Sequence, residues 1–145
     1  MYNIIVDKPK KKKIKTVTKL KKEIWVECKR IIRLKYGNKC YTCPNENLEG
    51  SNWHTGHGKT NGALSLKYKL DLRNLRPQCY NCNVNLNGMT DIFISKLERE
   101  PDGLAFLQEA CFKENGYWEI KRMETMGGLQ AWAFLNNLLD EYKQM

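Results

Sequence analysis

The chain has 145 residues, with 25 Lys and Arg against 16 Asp and Glu, a formal net charge of +9. That length suits one ordinary domain with some extension, big enough to bury a modest core and small enough that a structural metal would help it. No apolar run approaches a membrane span, and MYNIIVDKPKKKK places too few apolar residues ahead of its charges for a secretory signal, so a soluble, cytoplasmic protein is expected.

The charge is unevenly placed. Residues 1–36 hold 13 Lys and Arg against 3 acids, whereas residues 37–145 hold 12 against 13. A basic arm over residues 1–16, ahead of a near-neutral body, suggests a polyanionic partner, because each neutralised phosphate releases condensed counterions. Lys10, Lys11, Lys12, Lys13, Lys15, Lys19 and Lys22 are the expected contacts. A charge run that only keeps the chain soluble is the alternative, and PKKKKIK also has the composition of a nuclear import signal.

From Val17 to Tyr36 the apolar residues Val17, Leu20, Ile24, Cys28, Ile31 and Ile32 recur at helical spacing, and Gly37-Asn38 supplies a stop. Between Gly37 and Gly62 the pattern turns to Asn, Gly, Thr and Pro, which predicts knuckle turns and a brief strand around Trp53. LDLRNLRPQC, Leu70 to Cys79, alternates as a second strand, with Pro77 placing it at an edge. A helix is expected to start within Cys79–Asn83. Further helices are expected over Asp91–Glu100, Leu104–Asn115 and Leu129–Tyr142, punctuated by PDG, NG and GG. After Thr90 acids outnumber bases 10 to 6, so the last third, residues 101–145, is expected to pack on the body or carry a dimer contact.

Six cysteines divide into two C-x2-C pairs, Cys40 with Cys43 and Cys79 with Cys82, and two singletons, Cys28 and Cys111, expected as buried thiols on helix faces. Without a secretory signal the pairs read as metal ligands, and four thiolates suit a closed, structural Zn²⁺. A rival set, Cys40 and Cys43 with His54 and His57, leaves the second pair idle and sets its histidines too close for the familiar finger. Both histidines of the chain lie in SNWHTGHGKT; thiolates that close the zinc site would free them for other work. Trp53, Tyr41 and Tyr80 are expected to pack around the knuckles.

CYTC, then HTGH, then NLRPQCYNCN with NG shortly after, resembles the NinG (Rap) family of phage recombination endonucleases, within the HNH class of ββα-metal nucleases. The resemblance spans about residues 35–97. It implies an α+β fold: a small ββα-metal core over residues 17–100 with a two-knuckle zinc site, flanked by the basic helix and carboxy-terminal helices. It also implies that His57 is a general base, that Asn74 holds the loop orienting that base, and that Asn83 is a metal ligand at the start of the helix. A neutral imidazole near its ordinary pKa of about 6.5 can take a proton from water at cellular pH, and one divalent cation, Mg²⁺ or another, would polarise the phosphate.

One departure stands out. Where many HNH enzymes carry Asp or His just before the base, this chain has Gly56. His54 is the nearest substitute ligand, but residues three apart on a strand face opposite ways unless a bulge intervenes at Gly56. Asp71 is a fallback carboxylate. Lys59, Arg73 and Arg76 are expected at the phosphate backbone, with Lys67 and Lys69 in the same connection. The implied partner is DNA, branched by resemblance alone, with no membrane and a possible homodimer, in a bacterial host cell if the chain is phage-encoded. A non-catalytic zinc module that binds nucleic acid is the alternative.

Overall fold

The computed structural model describes residues 4–5, 7–9 and 13–145, so Lys10, Lys11 and Lys12 lie outside the described residues. Along the chain run α1 (Val17–Tyr36), β1 (His54–His57), α2 (Leu66–Lys69), β2 (Leu75–Gln78), α3 (Thr90–Leu97), α4 (Pro101–Ala110), β3 (Cys111–Glu114), β4 (Tyr117–Ile120) and α5 (Gly128–Lys143). The fold is mixed α+β, with two separate two-stranded sheets. Among the described residues no helix is long and apolar enough to cross a membrane.

The α1 expectation holds at both ends. Thr16 accepts a hydrogen bond from the Lys19 N–H, and Gly37 ends the helix at φ 67°, a conformation that costs glycine no Cβ clash. Its apolar stripe, Leu20, Ile24, Cys28, Ile31 and Ile32, is buried. Much of the cover comes from α5, whose Leu135, Leu139 and Tyr142 join the same cluster. Polar contacts reinforce the pairing: Trp132 Nε1 donates to the Lys15 carbonyl at 3.0 Å, and the Arg30 guanidinium to the Tyr142 carbonyl at 3.0 Å. The tail therefore packs on the body.

β1 and β2 form an antiparallel hairpin in which His54 faces Gln78 and His57 faces Leu75. β2 begins at Leu75 rather than Leu70, because the Asp71 carboxylate accepts from Arg73 N–H and caps a tight turn over Leu72–Asn74. Pro77 suits a two-stranded sheet, where each strand is an edge, and its carbonyl accepts from Tyr41 N–H at 2.8 Å. After β2 the chain makes a π-helical turn over Asn81–Asn85 and then kinks through Asn87, Gly88 and Met89, all at positive φ, before α3. The helical start expected near Cys79–Asn83 is present but interrupted. Phe93 and Leu97 of α3 pack with Phe106, Leu107 and Ala110 of α4 in a second cluster.

The helix expected over Leu104–Asn115 is corrected. Helix α4 ends at Ala110, and Cys111–Glu114 pairs with Tyr117–Ile120 across a two-residue loop. That loop is Asn115-Gly116, with φ of 51° and 84°. Positive φ at both centres matches the right-handed twist of a hairpin, and Asn-Gly is the pair that tolerates it best. Cys111 is nonetheless buried, as is Cys28.

Candidate functional site

Cys40 and Cys43 lie in the turns after α1, and Cys79 and Cys82 follow β2. Their four Sγ atoms all fall within 4.8 Å of one another, and Cys43 Sγ is 3.7 Å from Cys79 Sγ. A tetrahedral zinc with Zn–S bonds of about 2.3 Å sets its sulfurs roughly 3.8 Å apart, so spacing and donor softness both fit. No imidazole belongs to this group, which removes the rival set of two cysteines and two histidines. Burial opposes ionisation of Cys40, but the N–H groups of Cys79 and Thr42, with the Cys43 thiol and Thr42 hydroxyl, outweigh it and bring that thiol down to about 6. Burial pushes Cys43 and Cys82 up instead.

A polar relay backs this cluster. The Gln78 amide donates to the Gly88 carbonyl at 2.8 Å and to Thr42 Oγ1 at 2.9 Å. Since a carbonyl only accepts, the amide orientation is fixed, and Thr42 is left with its own proton for Cys40 Sγ, 3.8 Å away. Gly56 makes room for Gln78: a Cβ there would lie 1.9 Å from Gln78 Oε1. β1 keeps regular pairing through Gly56, without the bulge that would turn both histidines to one face.

The two imidazoles consequently occupy different surroundings. His54 Nε2 donates to the Ser51 carbonyl at 2.9 Å, so Nδ1 carries a lone pair, which faces the Asn83 amide at 3.1 Å. Tyr80 packs edge-on against this ring. His57 stacks flat on Trp25 of α1, with centroids 5.2 Å apart and planes 3° from parallel. Its Nε2 is buried without a partner, and burial lowers its pKa to about 4, so the ring is neutral throughout the physiological range. Asn74 is fully buried, accepting from Lys59 N–H at 2.8 Å and donating to the Lys59 carbonyl at 3.1 Å. It clamps the loop that leaves His57. The described contacts thus tie Asn74 to that loop but join Asn83 to His54 and not to His57.

A family model described as bacteriophage lambda NinG protein matches residues 5–99. The chain belongs to the NinG family. No curated protein and no solved structure matches it. The NinG-matched segment holds both cysteine pairs, both histidines, Asn74 and Asn83, and ends just before α4.

Within the NinG segment the expected phosphate contacts fare unevenly. Arg76 is corrected outright: its side chain is 0% exposed, bonded to Glu100 at 2.5 Å and to the Leu75 carbonyl at 2.7 Å, with Tyr36 beneath the guanidinium. It is a core cation, out of reach of a ligand. Arg73 is engaged by Asp71 and Glu109, each at 2.8 Å, and Asp71, the fallback ligand, is thereby spent. The Lys59 ammonium donates to the Trp118 carbonyl. Lys15 pairs with Glu23 at 2.7 Å, whereas Lys13, Lys19 and Lys22 are exposed.

Beside His57 and Trp25 opens a cleft of about 360 Å³, bounded by Lys21, Lys22 and Lys69. Sequence reasoning missed Trp25, because it sits one position from the buried stripe of α1 and breaks no pattern. It also missed Thr42 and Gln78, whose roles depend on which atoms meet, and Glu100, 24 residues from its partner Arg76. Of the expected knuckle aromatics, Trp53 is buried and donates to the Gly37 carbonyl, Tyr41 is half-buried against Phe93, and Tyr80 is exposed.

Among the described residues no second group of three or more His, Cys, Asp or Glu side chains gathers as a cation cage. The His54–Asn83 pair offers two neutral donors, counting Asn83 Oδ1 once its amide turns. Tying the far ring nitrogen to a carbonyl is how metal-binding imidazoles are held. Such a pair could supply two ligands to a divalent cation, one imidazole nitrogen and one amide oxygen.

Proposed function

We propose that this NinG-family protein is a metal-dependent DNA endonuclease of the HNH, ββα-metal kind, acting on branched or recombination DNA. The observation that carries the reading is the pairing of His54 Nδ1 with the Asn83 amide, where β1 meets the helical turn behind the second knuckle. Cys82, in the four-thiol cluster, directly precedes Asn83, so a metal there would brace that turn and set two donors from separate elements in place before substrate arrives. In this reading His54 and Asn83 would hold Mg²⁺ or a similar ion, whose chemistry is to polarise a phosphate oxygen. Asn74 fixes the loop after His57; the general-base role of His57, which is neutral at cellular pH, is carried by the family resemblance alone, since its ring faces the other side of β1 from the His54–Asn83 pair. The arm and the exposed face of α1 supply affinity for DNA, and a homodimer matches the symmetry of a four-way branch.

A specific observation favours a second reading, a zinc-braced module that binds DNA without cutting it. His57 Nε2 is buried under Trp25 and α1, a placement equally suited to a packing histidine. Cleavage separates the two. Zinc-loaded protein should nick linear or four-way-branched DNA with Mg²⁺ and not in its absence. His57→Ala should slow nicking by about 10²–10⁴-fold, the usual worth of a general base, and His54→Ala should raise the Mg²⁺ concentration required. DNA binding with no cleavage by the wild type would leave only the second reading, and undiminished nicking by His57→Ala would remove that residue from the chemistry.

A further inference from the structure

The cleft beside His57 has features that a duplex-binding surface does not need. Lys21 and Lys22 from α1 and Lys69 from the end of α2 stand around it, and no acid lines it. None of the three is in an ion pair among the described residues, so their charge is available to an anion in the cleft. Between the cations the walls are mostly apolar, the indole of Trp25 with Leu66 and Leu70, joined by the neutral ring of His57. An apolar floor rimmed by unpaired cations suits an anion that carries a flat, apolar body. At about 360 Å³ the space lies at the small end of ligand sites, about 300–1,000 Å³, and admits one nucleotide but no double helix. The indole is already fixed in orientation by its flat stack on His57, and the exposed Lys29 ammonium, 6.0 Å from its centroid, is the group a base packing on the ring would displace, so little rotamer freedom of the indole itself is lost.

We infer that this cleft seats a single unpaired nucleotide of a DNA strand, its base against Trp25 and its phosphates on Lys21, Lys22 and Lys69. The assignment rests on the DNA-directed reading above and adds to it a requirement for a base free of its partner. Stacking on an aromatic side chain is tolerant of sequence, and lysines read only the backbone. The seat therefore selects structure and not a particular base.

The test measures fluorescence anisotropy of zinc-loaded full-length protein, without added Mg²⁺, on an oligothymidine and on an abasic sugar–phosphate chain of equal length. Oligothymidine should bind about five- to hundredfold tighter, the usual worth of one base–aromatic stack. Trp25→Leu should erase that preference while leaving affinity for the abasic chain within twofold, and Trp25→Phe should retain part of it. Lys21→Gln with Lys69→Gln should weaken both and flatten their salt dependence. Retention of zinc by each variant establishes that it is folded. Equal binding of the two chains by the wild type, or equal competition by polyglutamate, overturns the seat while leaving DNA binding intact. Failure of both chains and of duplex to bind at low salt sinks the DNA-directed reading itself.

Discussion

At the scale of single residues, the four thiols that could hold a metal are supported by atoms that would not touch it. Thr42 sits inside the first knuckle, accepts from Gln78 and faces Cys40 Sγ. A hydrogen bond to a thiolate spreads its charge and fixes its direction, and loss of such outer contacts typically costs about 10–100-fold in metal affinity. Thr42→Val keeps the shape and removes the hydroxyl. It should weaken zinc by about tenfold in competition with a chelator, while Thr42→Ser stays near wild type; equal affinity in the valine variant would show that the hydroxyl plays no part. The C-x2-C spacing made the four ligands legible in the sequence. Thr42 was hidden, because a threonine between two cysteines is equally at home exposed.

At the scale of elements, α4 is fastened to the hairpin by charge. Arg76, in β2, is fully buried beneath Tyr36 and Tyr41, and Glu100, just before α4, bonds its guanidinium while remaining 35% exposed. Removing one member of a buried pair strands the other. Glu100→Gln should lower stability by about 2–3 kcal/mol in denaturant unfolding of zinc-loaded protein, below the usual range because the carboxylate is partly wet. A change under about 0.5 kcal/mol would mean that the two aromatic rings and Asp102, 3.5 Å away, suffice alone. Arg76 also shows where sequence reading failed. A cation two residues from Asn74 looks like a phosphate contact, and nothing local announces that a carboxylate 24 positions later will draw it inward. α1 is legible because its stripe is periodic and capped, whereas the apolar run of β3 extends the helical pattern of α4, and Asn115-Gly116 reads as a stop without announcing that Tyr117–Ile120 turns back to pair with it.

At the scale of the whole molecule, the cysteine cluster joins segments 36 residues apart and touches the larger apolar core, since Cys40, Cys79 and Cys82 are members of it. Apo protein would lose the constraint that aligns α1, β2 and the π-helical turn together. Chelation of zinc should abolish the cooperative thermal transition or lower its midpoint by well over 10 °C, as structural zinc contributes about 10–16 kcal/mol in small modules. Scanning calorimetry with and without chelator checks this; an unchanged midpoint would make the thiol cluster incidental. The placement of His54 and His57 on opposite sides of β1 belongs to this scale too. HTGH announced both rings, but only the assembled body shows which of them meets Asn83 and which meets α1.

The partnership of α1 with α5 reaches beyond the family match, which stops at residue 99. Much of the cover over the first helix is drawn from chain outside the matched segment. A relative lacking this tail must either repaint Leu20, Ile24 and Ile31 with polar groups or recruit another surface to shelter them. A change on the buried face of either helix is therefore felt through the other.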